Sequence, residues 1–220
     1  MSFKHLQKNA TADGTLEAKT GLKNRNDLGQ IVKFNGKDKL PWWSGDKCNE
    51  LKSVLSIFCI CLFFHIDSLS IFRGTDGFAY PPNLSKSDKI YVFNRDLCRS
   101  IPLEFSQEIK DANDIPGYRF VPPANLFGTP QENPDNACFC NNPNGICDTP
   151  SGVFNVSACQ YGSPTLLSWP HFFQAEQSLR DAVKGMKPNK DKHQFYIDVQ
   201  PVRQLNQFFP ISFIRVQAWV

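Results

Sequence analysis

The chain has no excess of one charge: 24 Lys and Arg stand against 21 Asp and Glu, leaving a formal net charge of +3. No run of like charges marks an acidic or basic tail. Nucleic acid is therefore excluded as a partner, because phosphate recognition needs a concentrated basic surface. Gly and Pro are ordinary at 13 and 16 in 220 residues, so neither a collagen-like nor a low-complexity chain is available. The first residues, MSFKHLQKNATADG, contain no apolar stretch of the kind that directs export. Nucleophile elbow, His-Glu-x-x-His, phosphate loop, dinucleotide fingerprint and EF-hand loop are all missing. With 41% apolar and 13% aromatic residues, the chain can nonetheless bury a core, and it reads as a folded protein without catalytic signature.

Eight cysteines are present, at 48, 59, 61, 98, 138, 140, 147 and 159. Cys59 and Cys61 lie in an apolar run, whereas Cys48, Cys98, Cys138, Cys140, Cys147 and Cys159 lie among polar and turn residues. Disulfides account for these six better than zinc does. No Cys-x-x-Cys pair exists, and the gap from Cys140 to Cys147 departs from zinc-ligand spacing. Three glycosylation triplets begin at Asn9, Asn83 and Asn155, each in a polar or turn-rich stretch. Loop cysteines and sequons together point to a lumenal or extracellular chain.

The stretch from Leu51 to Phe72, LKSVLSIFCICLFFHIDSLSIF, is the most hydrophobic part of the chain. Its apolar centre, Val54 to Phe64 broken only by Ser56, is shorter than the ~20 residues of a spanning helix, and its flanks carry Lys52, His65 and Asp67. A buried strand or helix is the plainer reading.

Short apolar runs bounded by Pro, Asn, Gly or Asp predict strands at Lys89–Phe93, Gly117–Val121, Thr165–Ser168 and His193–Val199. Residues 29–40 predict a hairpin around Asn35-Gly36. Leu179, Ala182, Val183 and Met186 recur at helical spacing and predict a helix within Phe173–Met186. Pro122 to Ser163 reads as long, disulfide-stapled loops. The composition predicts a mostly β fold with minor α, built on an antiparallel sheet or barrel. His171, flanked by aromatics, and His193, at the start of a strand, read as packing histidines. Asp76 in Gly74-Thr75-Asp76-Gly77 reads as a turn residue and not as a cation ligand.

Several segments resemble one family in order and spacing: KNATADG (8–14), GQIVKFNGK (29–37), Trp42 to Asn49, GTDG (74–77) followed by Pro81-Pro82, LCRSI (97–101), YRFV (118–121), ENPDNACFC (132–140), SACQYGSPTLLSWPHF (157–172) and IDVQPV (197–202). They look like the ectodomain of class B scavenger receptors, the lipid-binding family that includes lysosomal integral membrane and insect sensory neuron membrane proteins. The resemblance implies part of an antiparallel β-barrel ectodomain with disulfide-stapled loops. In the family it is glycosylated, carried by a membrane helix near each end and crossed by a hydrophobic tunnel. It implies bridges Cys48–Cys138, Cys98–Cys159 and Cys140–Cys147. It also implies binding and tunnel transfer of lipids, fatty acids or lipoproteins, with no cofactor, metal or enzymatic chemistry. The plasma membrane is the implied location and the lysosomal membrane the alternative.

Against the family pattern, 1–50 corresponds to the N-terminal part of an ectodomain fragment and 73–202 to its disulfide-rich core. Residues 51–72 have no counterpart and read as a retained intron or gene-model error, and 203–220 form a divergent tail. The membrane helices are expected outside this sequence. A sensory accessory protein, a lysosomal trafficking receptor and a truncated or purely structural lumenal module are the alternative functions.

Overall fold

The computed structural model describes residues 14–50, 75, 77, 79–82, 84–110, 114–140, 147 and 149–201, together with the backbone of 214–217. The expected insertion 51–72, with Cys59 and Cys61, lies outside the described residues, as do Asn9, Asp76, Asn83 and most of the 203–220 tail.

Nine strands and three short helices are assigned among the described residues. In chain order they are β1 (Leu16–Ala18), β2 (Ile31–Phe34), α1 (Asp46–Asn49), β3 (Ile90–Asn94), β4 (Arg99–Lys110), β5 (Pro116–Val121), β6 (Val153–Asn155), β7 (Leu166–Ser168), α2 (Gln177–Ala182), α3 (Lys190–His193), β8 (Tyr196–Val199) and β9 (Ile214–Gln217). The fold is mostly β, as the composition predicts. A five-stranded antiparallel sheet, ordered β3-β4-β5-β8-β9, curls into a half-barrel, with two-stranded sheets β1-β2 and β6-β7 beside it.

Alternation explains why β4 is the spine. Arg99, Ile101 and Leu103 point to one face and are buried, while Ser100, Pro102 and Glu104 point to the other. Ile101 faces Val92 and Leu103 faces Ile90 across the β3 ladder, so the apolar pairs share one side. Pro102 falls where β4 has β3 on one flank and pairing with β5 has not yet begun, a stretch where a missing N–H is tolerated. A bulge between Phe105 and Gln107 then turns the strand outward to exposed Ser106, Gln107 and Glu108.

The main core gathers that inner face with Phe120, Ile197 and Val199 from β5 and β8, and closes it with Trp43, Leu126, Phe127 and Phe154. A second cluster of Ile31, Phe34, Leu40 and Phe93 lies on the other side of β3, because Phe93 alternates with Val92.

The Asn35-Gly36 turn forms, with both residues at positive φ and Phe34 and Lys37 exchanging backbone bonds at 2.8 and 3.0 Å. Its second arm does not run on as a strand, however. β2 takes β1 as its partner, and Lys39 bridges Glu50 instead. The helix expected over Phe173–Met186 shrinks to α2, which has no buried residue, and Val183 is 43% exposed. Left-handed backbone at Phe172 and Gln174 blocks its start, and extended Val183 with Gly185 at positive φ ends it. Nor does His193 open a strand: it closes α3, and β8 begins at Tyr196. Within the loop region, Val153–Asn155 forms β6 against β7.

Candidate functional site

Three covalent bridges gather the loops over the inner face of the sheet. Cys48–Cys138 ties α1 to the 3-10 turn Pro134–Phe139, and Cys98–Cys159 ties the β3–β4 turn to the 3-10 turn after β6. Cys140–Cys147 closes a short loop. Trp43 seals the junction by donating its indole N–H to the Cys98 carbonyl at 2.8 Å. Gly45 at the α1 N-cap is a steric requirement, since a Cβ there would meet the Cys138 Cβ at 2.7 Å.

Beneath this cover lies an arginine in an aromatic box. Arg99, 4% exposed, projects from β4 with its guanidinium carbon 3.9 Å from the Phe139 ring centroid and 5.0 Å from that of Phe154. Its terminal nitrogens donate to Asn136 Oδ1 over 3.4 and 3.5 Å, while Nε has no hydrogen-bond partner. Burial pushes its pKa down from the ordinary guanidinium range to about 9, with Asp135 opposing, so it stays a cation at neutral pH. A desolvated cation over ring faces gains about 2 kcal/mol, which offsets part of the burial cost. Asn136 in turn donates to the carbonyls of Leu126 and Gly128, at 3.1 and 2.7 Å. One polar pair thus fastens the 3-10 turn, the 126–128 loop and β4 together.

Of the three sequons, only that at Asn155 falls among the described residues. Asn155 ends β6 half-buried, and its Oδ1 accepts from the Ser157 N–H at 2.9 Å and the Ser157 hydroxyl at 2.6 Å. This side-chain turn occupies the amide oxygen. Ser157 also lines an open groove of about 470 Å³ with Trp42, Trp43, Ser44, Cys140, Ala158 and Gly162. The described lining is aromatic, small or hydroxyl-bearing, which suits an apolar or neutral group.

On the outer face, Arg119 and Asp198 are directly opposed across β5 and β8 and form a two-pronged pair at 2.7 and 2.8 Å. The Arg119 guanidinium also sits 3.7 Å from the Tyr196 ring centroid. The hydrogen bond that Arg119 donates to Asp198 is the largest influence and raises the Arg119 pKa further. This pair holds the register of β5 against β8.

The histidines differ from the packing role expected for them. His171 is exposed and His193 half-buried, and their rings stack on each other with centroids 4.3 Å apart. His171, Phe172 and Gln174 all have φ between 53° and 61°, a conformation costing about 1–2 kcal/mol per residue and held only by its surroundings. Neither the Arg99 box nor the histidine stack has a local sequence signal, because each joins residues far apart in the chain.

A family model described as the CD36 family matches residues 2–203. Lysosome membrane protein 2 of Mus musculus is 36% identical over 196 residues, which are 89% of this chain and 35% of that protein. Scavenger receptor class B member 1 of Mus musculus is 30% identical over 194 residues, 88% of this chain and 33% of the relative. Sensory neuron membrane protein 1 of Aedes aegypti is 32% identical over 193 residues, 88% and 31% respectively. The chain thus spans about a third of the length of the curated relatives it matches.

Proposed function

Because the chain belongs to the CD36 family, we propose that it forms part of a membrane glycoprotein that binds lipids, fatty acids or lipoproteins and passes them along an apolar path. The observation that carries this reading is the curled sheet whose inner face is apolar apart from the boxed Arg99. Ile90, Val92, Ile101, Leu103, Phe120, Ile197 and Val199 line it, and the bridged loops form a second wall. An amphiphile moving between such walls keeps its chain out of water at about 25 cal/mol per Å² of apolar surface covered. The work is transfer without covalent chemistry.

Three disulfides and the Asn155 sequon suit a lumenal or extracellular face, where thiols are not held reduced. The plasma membrane, with the ectodomain outside, is the proposed location, and the similarity to lysosome membrane protein 2 supports the lysosomal membrane as the alternative. No helix among the described residues is long and apolar enough to cross a membrane, so attachment is assigned to parts of the protein outside them.

A second reading, a purely structural lumenal module, is favoured by how fully Trp43, Phe127, Phe154 and Trp169 fill the space over the sheet. Binding of a fluorescent fatty acid to the complete ectodomain separates the two. Saturable binding competed by unlabelled fatty acid is expected for a carrier. Signal that neither saturates nor competes would leave the structural module standing.

A further inference from the structure

Two ring pairs line up between the Trp169–His171 segment and the His193–Phe195 segment. Trp169 stacks on Phe195 with centroids 5.8 Å apart and planes 13° apart. Two residues outward on both segments, His171 stacks on His193 at 4.3 Å and 9°. The inner rung packs against the main core, while His171 at the outer rung is solvent-exposed.

Each outer imidazole also accepts a backbone hydrogen bond at Nδ1. His171 accepts from the Lys187 N–H at 3.3 Å and His193 from the Asn189 N–H at 2.9 Å. Both Nδ1 atoms are therefore unprotonated in the closed arrangement, with the ring proton on Nε2. Protonation would abolish both acceptors and place two cations face to face.

We propose that the His171–His193 stack is an acid-sensitive clasp, which holds the Lys184–His193 segment against the Trp169–Phe172 turn at neutral pH and releases it in mildly acidic compartments. The surrounding charges reinforce the sense of the switch. Of the acidic groups, Glu176, just before α2, engages Ser151 and Ser178, and Asp181 of α2 accepts from Gln177. Asp191, in the first turn of α3, makes no ion pair with either ring among the described residues. The basic groups on the same elements are Arg180, Lys184, Lys187, Lys190 and Lys192. The pKa of His193 lies below its ordinary 6.5, through burial first and then through His171 and Lys192. A histidine held low in the folded state contributes stability that is present above the unfolded value. That stability is lost as pH falls through the folded value.

Release should stop at the inner rung, because Trp169 and Phe195 do not titrate. The strained backbone at His171, Phe172 and Gln174 favours relaxation once the clasp opens.

Hydrogen exchange of the full, disulfide-bonded chain at about pH 7.5 and about pH 5, corrected for intrinsic rates, tests this. Protection in peptides covering 184–195 should fall roughly tenfold at the lower pH, the amides of Lys187 and Asn189 being the reporters, while β4 and β5 stay protected. The double variant His171→Asn, His193→Asn keeps an acceptor near each Nδ1 position without titrating, and should hold its protection at both values. Equal protection of the wild type at both pH values, pH dependence retained by the variant, or loss spreading to β4 and β5 would each overturn the clasp. Proton NMR of the wild-type imidazoles gives a second check. His193 should titrate below the ordinary imidazole range, and titration at or above that range would overturn it.

Discussion

Arg99 sets two opposing terms against each other in one side chain. Its charge is desolvated and incompletely hydrogen-bonded, which disfavours folding, while its aliphatic stem and planar head fill the space between Phe139 and Phe154. Volume should therefore matter more than charge. Arg99→Ala, which leaves a hole, is expected to cost about 2–4 kcal/mol, whereas Arg99→Met, which fills it without charge, should stay within about 1 kcal/mol of the wild type. Urea midpoints of the two variants measure this directly, and equal losses would show that the cation itself holds the box. Asn155 is a residue-scale case of a different kind. With Oδ1 held by Ser157, the reading of a lumenal glycoprotein expects a glycan on Nδ2. Mass spectrometry of the membrane glycoprotein that carries this chain should find Asn155→Gln lighter by one glycan. An unchanged mass would remove this site from the proposal.

At the scale of elements, the sequence showed strands wherever local composition and burial agree. Lys89–Phe93, Gly117–Val121 and Thr165–Ser168 are apolar runs between breakers, and each lies within a residue of an observed strand. β4, the longest strand, went unread because its alternating inner residues are interrupted by Pro102 and begin with a charge, Arg99, that only the tertiary box makes tolerable as an inward residue. β1 and β9 were likewise missed. Three and four residues long, they owe their strand state to β2 and β8 beside them and not to their own pattern. The expected helix failed for the opposite reason. Leu179, Ala182, Val183 and Met186 have helical spacing, but the helix that forms has no buried residue, so little packing supports a longer one. Family resemblance reached the cysteine framework, where spacing is the signal. It could not reach the Arg99–Asn136 contact or the stacked histidines, which arise only when loops and strands distant in the chain are folded together.

For the molecule as a whole, small sheets and long loops leave stability dependent on cross-links that restrict the unfolded chain. Cys48–Cys138 and Cys98–Cys159 close spans of 90 and 61 residues, whereas Cys140–Cys147 closes 7. In the chain-entropy picture these spans correspond to about 4.6, 4.3 and 2.4 kcal/mol. The two long-range bridges also bring the α1 segment and the loop after β6 onto the sheet, so removing either uncovers the Trp43 junction as well as loosening the unfolded chain. Paired Cys→Ala replacement of either long-range bridge should therefore lower the denaturation midpoint more than replacement of Cys140 and Cys147. If the short bridge proves as costly as the other two, the native geometry of its loop, and not the entropy of the unfolded chain, governs how the cover over the sheet is held.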